Sequence, residues 1–175
     1  MKPYKILHFD EIELRKKTKD VTEFDKRLFG IIDALKTTLR STKNSAALAA
    51  NQVGILKSIV VIDYQNEEFE LINPRIVSTY GEQYEYEGCL SYPGYSGKVK
   101  RAYTVKIEYQ DRNGVKKEVE RSGPMALCFQ HEIDHLNGVL FIDRVEEGFL
   151  TNDEDDSKLN IDNLLLLTKV TKEET

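Results

Sequence analysis

His131 and His135 enclose the motif HEIDH, which places two imidazoles four positions apart. Residues i and i+4 of an α-helix lie on one face about 6 Å apart, so both rings can reach one metal ion. The carboxylate of Glu132 can then act as general base on a water at that ion without being a ligand. The chain has three histidines, and two of them belong to this motif. The pattern therefore predicts a catalytic metal site in preference to an ordinary helix that carries two polar histidines.

The motif leaves the third metal ligand open. A longer metzincin motif would need a histidine at the position of Phe141. A thermolysin-like site would need a glutamate on a following helix, and Glu146 and Glu147 come too soon along the chain for that. His8 stands apart beside an aromatic residue and is predicted to be an ordinary surface histidine. We therefore expect a cysteine as the third ligand.

The chain has two cysteines, and they differ in their ability to reach the histidines. Cys128 shares their helix face but lies about 7 Å along the axis from their midpoint, too far for a thiolate that must approach within about 2.3 Å. We interpret Cys128 as a small core residue. Cys89 follows Gly88 and precedes the turn residues Pro93 and Gly94, a setting that allows close approach of the backbone to a ligand. Cys89 is the predicted ligand, and a thiolate with two imidazoles leaves one position open for water.

Three motifs occur in a characteristic order: AAxQ at residues 49–52, EGCLS at 87–91 and QHEIDHLNGVLF at 130–141. Together they resemble peptide deformylase, the hydrolase that removes the formyl group from the N-terminal methionine of new polypeptides. The resemblance implies an α+β fold in which small antiparallel sheets surround the HExxH helix. It also implies that N-formylmethionyl peptides are the substrate, and it leaves a transient association with the ribosome open.

The resemblance assigns a role to each residue of the site. It implies that Cys89, His131 and His135 bind the metal ion. It further implies that the side-chain amide of Gln52 and the backbone N–H of Leu90 stabilise the oxyanion of the tetrahedral intermediate. The ligand types alone favour zinc. The resemblance instead points to Fe²⁺ in the cell, with Zn²⁺, Ni²⁺ or Co²⁺ able to occupy the site in a purified sample.

The sequence departs from the family pattern beside the catalytic residues. The first motif usually reads GxGxAAxQ with a proline before the glutamine, and here Ser45, Ala47 and Asn51 take the places of the two glycines and the proline. Ser96 stands where some members carry arginine, and Pro124 where an aliphatic residue often lines the methionine pocket. We therefore expect intact catalytic atoms beside an altered substrate wall.

These departures leave two alternatives to an ordinary deformylase. One is a deformylase-like hydrolase with weak or shifted substrate preference. The other is a non-catalytic metal-binding module, against which the intact Glu132 argues because a structural site needs no base.

Two helices and several strands must position these residues. Apolar residues spaced by three and four predict a helix over residues 24–39 with Thr22 as N-cap, followed by a small-residue loop over 46–54. A second helix should run between Gly123-Pro124 and Asn137-Gly138. Strands are predicted at 58–63, 69–72, 76–80 and 99–109, with a turn at 111–114 leading into 115–121. An acidic loop at 151–157 and a helix or covering strand at 159–170 complete the α+β pattern.

Composition limits the kind of protein. With 175 residues, of which 40% are hydrophobic, we expect a single domain over residues 1–175. The net charge of −5 disfavours nucleic acid as the main partner. No apolar run approaches the roughly 18 residues of a membrane span, and early acidic residues argue against a secretory signal. Two cysteines make no disulfide framework, so a cytoplasmic location is expected.

Overall fold

The computed structural model describes residues 2–43 and 45–168. Within them, three α-helices occur: α1 (Lys26–Ser41), α2 (Pro124–Leu136) and α3 (Asp162–Thr168). The strands within the same residues are β1 (Ala47–Ala49), β2 (Ile59–Tyr64), β3 (Glu67–Tyr80), β4 (Gln83–Cys89), β5 (Tyr92–Arg101), β6 (Thr104–Gln110), β7 (Lys116–Ser122), β8 (Phe149–Asn152) and β9 (Lys158–Asn160). Short 3-10 helices span Ile12–Arg15, Ala50–Val53 and Phe141–Arg144.

The strands form two antiparallel sheets. The larger has the order β1-β2-β3-β6-β7, and the smaller has the order β4-β5-β8-β9. Helix α2 packs one face on the larger sheet, where Met125, Phe129 and Ile133 join a core with residues of β1, β2, β3 and β6. Polar side chains of its other face contact β4 and β5. The predicted α+β fold of small antiparallel sheets around the HExxH helix is confirmed.

Helix α2 begins and ends where its sequence predicts. Pro124 occupies the first turn, where a missing N–H removes no helical hydrogen bond. Asn137 is the C-cap, and Gly138 follows in the left-handed region with φ of 72°. These end signals act within single turns of the helix, so they do not depend on what the helix packs against.

Two predictions at the start of the chain are wrong. Helix α1 is capped by Asp25, whose carboxylate accepts a hydrogen bond of 3.0 Å from the N–H of Leu28, and not by Thr22. The predicted loop at 46–54 contains β1 and a 3-10 helix instead. Strand β1 forms because its backbone pairs with β2, with Ala49 opposite Val60, and that partner is distant in sequence.

Strand boundaries in the middle of the chain also differ from expectation. The two short strands predicted at 69–72 and 76–80 are one strand, β3, whose pairing with β6 shifts register near Ile72 and again near Ile76. The single strand predicted at 99–109 is interrupted at 102–103, because β5 and β6 belong to different sheets. Strand β4 was not predicted, since its Tyr-Glu alternation carries no aliphatic signal.

The C-terminal region contains both structures that its sequence left open. Residues 158–160 form β9 and 162–168 form α3, whereas Lys169 and Val170 lie outside the described residues. The acidic loop begins inside β8 and closes through a hydrogen bond of 2.8 Å from the N–H of Asn152 to the carbonyl of Ser157. Arg15 holds α3 by donating to the carbonyl of Thr168.

None of the helices that the structure describes has the length and apolar content needed to cross a membrane.

Candidate metal centre

Cys89, His131 and His135 meet where the end of β4 approaches α2. One potential ligand atom from each residue lies within 4.8 Å of the others. The Sγ of Cys89 is 3.3 Å from Nε2 of His135. A thiolate with two imidazoles is a donor set that suits divalent zinc or iron. The residues therefore fit the metal ion that the sequence predicts.

The imidazole of His131 is oriented by a buried carboxylate. Its Nδ1 donates to Oε2 of Glu87 at 2.7 Å, which leaves Nε2 for the metal side of the ring. Arg101 donates to both oxygens of Glu87, at 2.7 and 2.9 Å. Burial alone would raise the pKa of Glu87, but the hydrogen bonds from Arg101 and His131 outweigh it and lower that pKa to about 2. Glu87 is therefore charged and able to hold the ring.

Asp134 connects the motif to the second sheet. Arg101 donates to its carboxylate, and Arg144 donates to both of its oxygens, at 2.5 and 2.7 Å. Arg101 is buried and bridges Asp134 to Glu87. This network joins the helix that carries both histidines to the strand that carries Cys89, so it fixes the distance between the ligands.

Glu132 is the carboxylate that the network leaves free. Its side chain is buried, it lines the same cleft as Cys89 and His131, and its Oε2 has no hydrogen-bond partner among the described residues. Burial raises its pKa to about 7. A carboxylate with such a pKa can both take up and release a proton near neutral pH, as general acid–base catalysis requires.

Gln52 is placed against the centre by the 3-10 helix after β1. Its Oε1 accepts a hydrogen bond of 2.9 Å from the N–H of Ala49, which turns the amide Nε2 toward the ligands. Nε2 lies 3.3 Å from Oγ of Ser91 and 3.6 Å from Sγ of Cys89. Leu90 lies between Cys89 and Ser91 and lines the same cleft. The structure thus brings together every residue that the sequence places at the site.

The centre opens into a cleft of about 680 Å³, a volume typical of ligand sites. Of the residues that depart from the family pattern, Ser45, Ala47 and Pro124 line it, as expected. Asn51 is fully buried, and its side-chain amide donates to the backbone carbonyl of His135 in α2. Ser96 pairs with Thr151 in the second sheet and does not line the cleft within the described residues. The cleft wall thus contains three of the five departures, whereas Asn51 and Ser96 are not among the described residues that line it.

The residues rejected as ligands lie as the sequence indicates. The side chain of His8 is about half exposed and hydrogen-bonded to Asp10. Cys128 belongs to the core that α2 forms with the larger sheet, and it also lines the cleft. Burial raises the pKa of its thiol well above the usual range.

Sequence reasoning missed the residues that support the ligands. Glu87 stands inside the EGCLS motif, and a metal-binding histidine normally donates its second ring N–H to an acceptor, so a nearby acid was a detectable candidate. Ser91 likewise belongs to that motif, whereas Arg101 carries no comparable local signal, because only the meeting of α2 with β5 brings it to the site. Arg144 lies in the 3-10 helix after α2, and nothing in its local sequence indicates that it pairs with Asp134.

Comparison with known proteins agrees with this geometry. The family model described as polypeptide deformylase matches residues 3–148. This range contains β1 to β7, α1, α2 and all three of the proposed ligands. Peptide deformylase from Heliobacterium modesticaldum is 44% identical over 146 residues, covering 83% of this chain and 96% of that protein. Peptide deformylase 2 from Clostridium acetobutylicum is 49% identical over 138 residues, covering 79% of this chain and 91% of that protein.

Solved structures lead to the same family. The peptide deformylase from Thermotoga maritima superposes with a TM-score of 0.81 at 39% identity, covering 83% of this chain and 99% of that one. The peptide deformylase from Synechococcus elongatus, solved in complex with actinonin, gives 0.79 at 41% identity, covering 82% of this chain and 79% of that one. This chain belongs to the polypeptide deformylase family, the hydrolases that remove the N-formyl group from newly made polypeptides.

Proposed function

We propose that this deformylase releases formate from N-formylmethionyl peptides at one divalent metal ion bound by Cys89, His131 and His135. The observation that carries this proposal is the meeting of three potential ligand atoms at a helix that also carries Glu132, whose Oε2 is buried and unpaired among the described residues. When bound, the ion supplies Lewis-acid chemistry, because it polarises a carbonyl and lowers the pKa of water. The remaining steps belong to residues of this chain.

Glu132 is the proposed base and then the acid. Its carboxylate takes a proton from the water that attacks the formyl carbon, and it passes that proton to the nitrogen of the departing peptide amine. The same group suits both steps because burial raises the pKa of its carboxyl above the usual range, which lets it hold the proton for release to the amine. Glu132 lines the cleft in which the formyl group must bind, and its Oε2 has no hydrogen-bond partner among the described residues.

Gln52 and Leu90 are the proposed oxyanion donors. The formyl oxygen becomes an anion when the carbon turns tetrahedral, and fixed donors stabilise it most because they need no reorganisation. The Nε2 of Gln52 is held near Cys89 by the bond to Ala49, while the backbone N–H of Leu90 follows Cys89 directly. Loss of one such donor costs about 3 to 4 kcal/mol of activation free energy in comparable sites.

We further propose Fe²⁺ as the metal ion in the cell, with Zn²⁺, Ni²⁺ or Co²⁺ able to replace it in purified protein. Imidazole and thiolate accept each of these ions, so ligand type alone does not select among them, and metal availability contributes to the choice. A cytoplasmic location is consistent with the site, because a thiolate ligand must remain reduced. The proposed catalytic unit is one domain over residues 1–175. This domain meets its peptide substrate as the peptide leaves the ribosome.

The test measures release of the free peptide amine from formyl-Met-Ala-Ser, with acetyl-Met-Ala-Ser as matched control. We expect release from the formyl peptide alone, loss of turnover after chelation, and recovery when Fe²⁺ or Co²⁺ is added without oxygen. Preference for other formyl peptides would favour the shifted-preference alternative, which Ser45 and Ala47 in the cleft wall support. Bound metal without hydrolysis of any formyl peptide would favour the non-catalytic module.

A further inference from the structure

The two histidines of the centre are supported unequally. The Nδ1 of His131 donates to Glu87, whereas the Nδ1 of His135 is buried without a partner among the described residues. The other ring nitrogen of His135, Nε2, faces the thiolate of Cys89. A neutral imidazole that binds metal through one nitrogen carries hydrogen on the other. The Nδ1–H of His135 therefore needs an acceptor.

Asn51, which is hydrogen-bonded to the backbone of His135, carries an unpaired acceptor. Its side chain is fully buried, and its Nδ2 donates to the backbone carbonyl of His135 at 2.5 Å. That bond fixes which end of the amide is oxygen, since a carbonyl can only accept. The Oδ1 of Asn51 is buried and unpaired within the described residues. An unpaired donor and an unpaired acceptor thus belong to two residues that are already joined.

We propose that Asn51 is a positioning residue for His135, whose Nδ1–H reaches the Oδ1 of Asn51 through one buried water. Buried water commonly pairs polar groups that the protein leaves unmatched, and here it would have two partners of opposite kind. The side-chain amide of Asn51 then interacts with His135 twice, directly at its backbone carbonyl and through the water at its ring. This fixes the tautomer with Nε2 free for the metal ion. The inference rests on the proposed role of His135 as a ligand.

The device depends on the side chain at position 51. A proline there would have neither a side-chain donor nor an acceptor. Asn51 lies in the same 3-10 helix as Gln52, so one short turn would supply an oxyanion donor and the support of a ligand. The two histidines would then be held by two different acceptors, a carboxylate for His131 and an amide oxygen for His135.

A matched control separates this role from ordinary packing. Thr18 donates through Oγ1 to the backbone carbonyl of Leu136 at 3.0 Å, one residue beyond His135, and it too is buried. Thr18→Val removes a hydrogen bond to the same end of α2 but leaves Asn51 and the histidine ring untouched. If Asn51 only secures the helix, the two substitutions should act alike on the metal ion.

The experiment compares the native protein, Asn51→Leu and Thr18→Val, each loaded with Zn²⁺. Zinc affinity is measured by chelator competition, and the histidine ring N–H signals are recorded by ¹⁵N NMR. We expect Asn51→Leu to raise the zinc dissociation constant by about tenfold or more and to move the His135 Nδ1–H signal upfield. Thr18→Val should change neither. Asn51→Pro, the residue usual in the family, repeats the test if Asn51→Leu does not fold.

Each contrary result has its own meaning. Unchanged affinity and an unchanged His135 signal in the Asn51 variants would overturn the inference. Equal weakening by Thr18→Val would overturn it too, because the effect would then belong to α2 as a whole. His135→Ala tests the underlying proposal separately: if that variant binds zinc as tightly as the native protein, the proposed centre itself fails.

Discussion

Within one five-residue motif, two acidic side chains are treated in opposite ways. Asp134 has both carboxylate oxygens bonded by arginines, whereas Glu132 keeps one oxygen unpaired inside the protein. Leaving a buried polar atom unpaired costs roughly 1–3 kcal/mol of folding free energy. Of these two residues, only Glu132 has an unpaired oxygen and therefore lowers the stability of the folded protein. This difference is expected if Asp134 holds the site together and Glu132 takes part in the reaction.

Substitution of the two cysteines should have different effects on metal content and on stability. Cys89→Ala removes a proposed ligand, so we expect loss of stoichiometric metal as measured by elemental analysis of the purified protein. Cys128→Ala should retain the metal and lower the free energy of unfolding by about 1 kcal/mol, since it removes one small buried group. Metal loss from the Cys128 variant with retention in the Cys89 variant would contradict the assignment.

The altered cleft wall should affect binding more than chemistry. Ser45 and Ala47 line the cleft, whereas the residues assigned to bond breaking are unchanged. Removing interactions equally from ground and transition states raises KM without changing kcat. We therefore expect the double variant Ser45→Gly, Ala47→Gly to lower KM for formyl-Met-Ala-Ser, with kcat changing less than about threefold. A large rise in kcat at constant KM would mean instead that these side chains displace Gln52.

At the scale of elements, α2 carries the motif and β4 carries the third ligand from a different layer. Local signals predicted α2 almost to the residue, because Pro124 and Gly138 act within their own turns. The same signals could not predict β1 or the interruption after Arg101, since both depend on pairing between distant segments. The three candidate ligands could be predicted from spacing and reach, whereas the arginines that support them could not.

The glycine that ends α2 should be hard to replace. Gly138 has a φ of 72°, and a Cβ added there would collide with the backbone carbonyl oxygen of Arg15. Gly148 shares that φ, but a Cβ there meets nothing within 4 Å. Gly148→Ala should cost about 1 to 2 kcal/mol, the usual penalty of a left-handed residue, and Gly138→Ala at least about twice as much. Denaturant unfolding checks this, and equal losses would contradict the collision.

At the scale of the whole molecule, charged side chains join elements that are far apart in sequence. Glu70 of β3 accepts hydrogen bonds from Arg112 in the turn between β6 and β7, and its carboxylate also pairs with Lys36 of α1. Arg112 reaches Asp33 of α1 as well. The cluster therefore connects α1 to β3 and to the turn between β6 and β7. Sequence alone could not identify these partners, because each pair depends on the packing of α1 on the sheet.

This cluster predicts a dependence of stability on pH. The hydrogen bonds from Arg112 lower the pKa of Glu70 in the folded protein, so its contribution is complete above the unfolded value near 4.5 and disappears as pH falls through the lowered value. We expect Glu70→Gln to lower the free energy of unfolding by about 1 kcal/mol at pH 7, a small figure because the pair is partly exposed to solvent. The difference should shrink below pH 4.5 and vanish at lower pH.

Denaturant titrations at several pH values measure this difference. Glu23→Gln, which changes an exposed glutamate, is the control and should match the native protein throughout. A deficit in Glu70→Gln that stays constant down to acid pH would show that lost packing, and not the charge, is responsible.

The central claim is that Glu132 moves the proton at a metal centre that it does not help to bind. Glu132→Gln tests it most directly, because the amide preserves shape and removes the base. Metal content and formate release are measured on the same sample, with the native protein alongside. We predict that metal remains near one ion per chain while turnover of formyl-Met-Ala-Ser falls by at least about a hundredfold. Loss of metal with unchanged activity per bound ion would contradict the account.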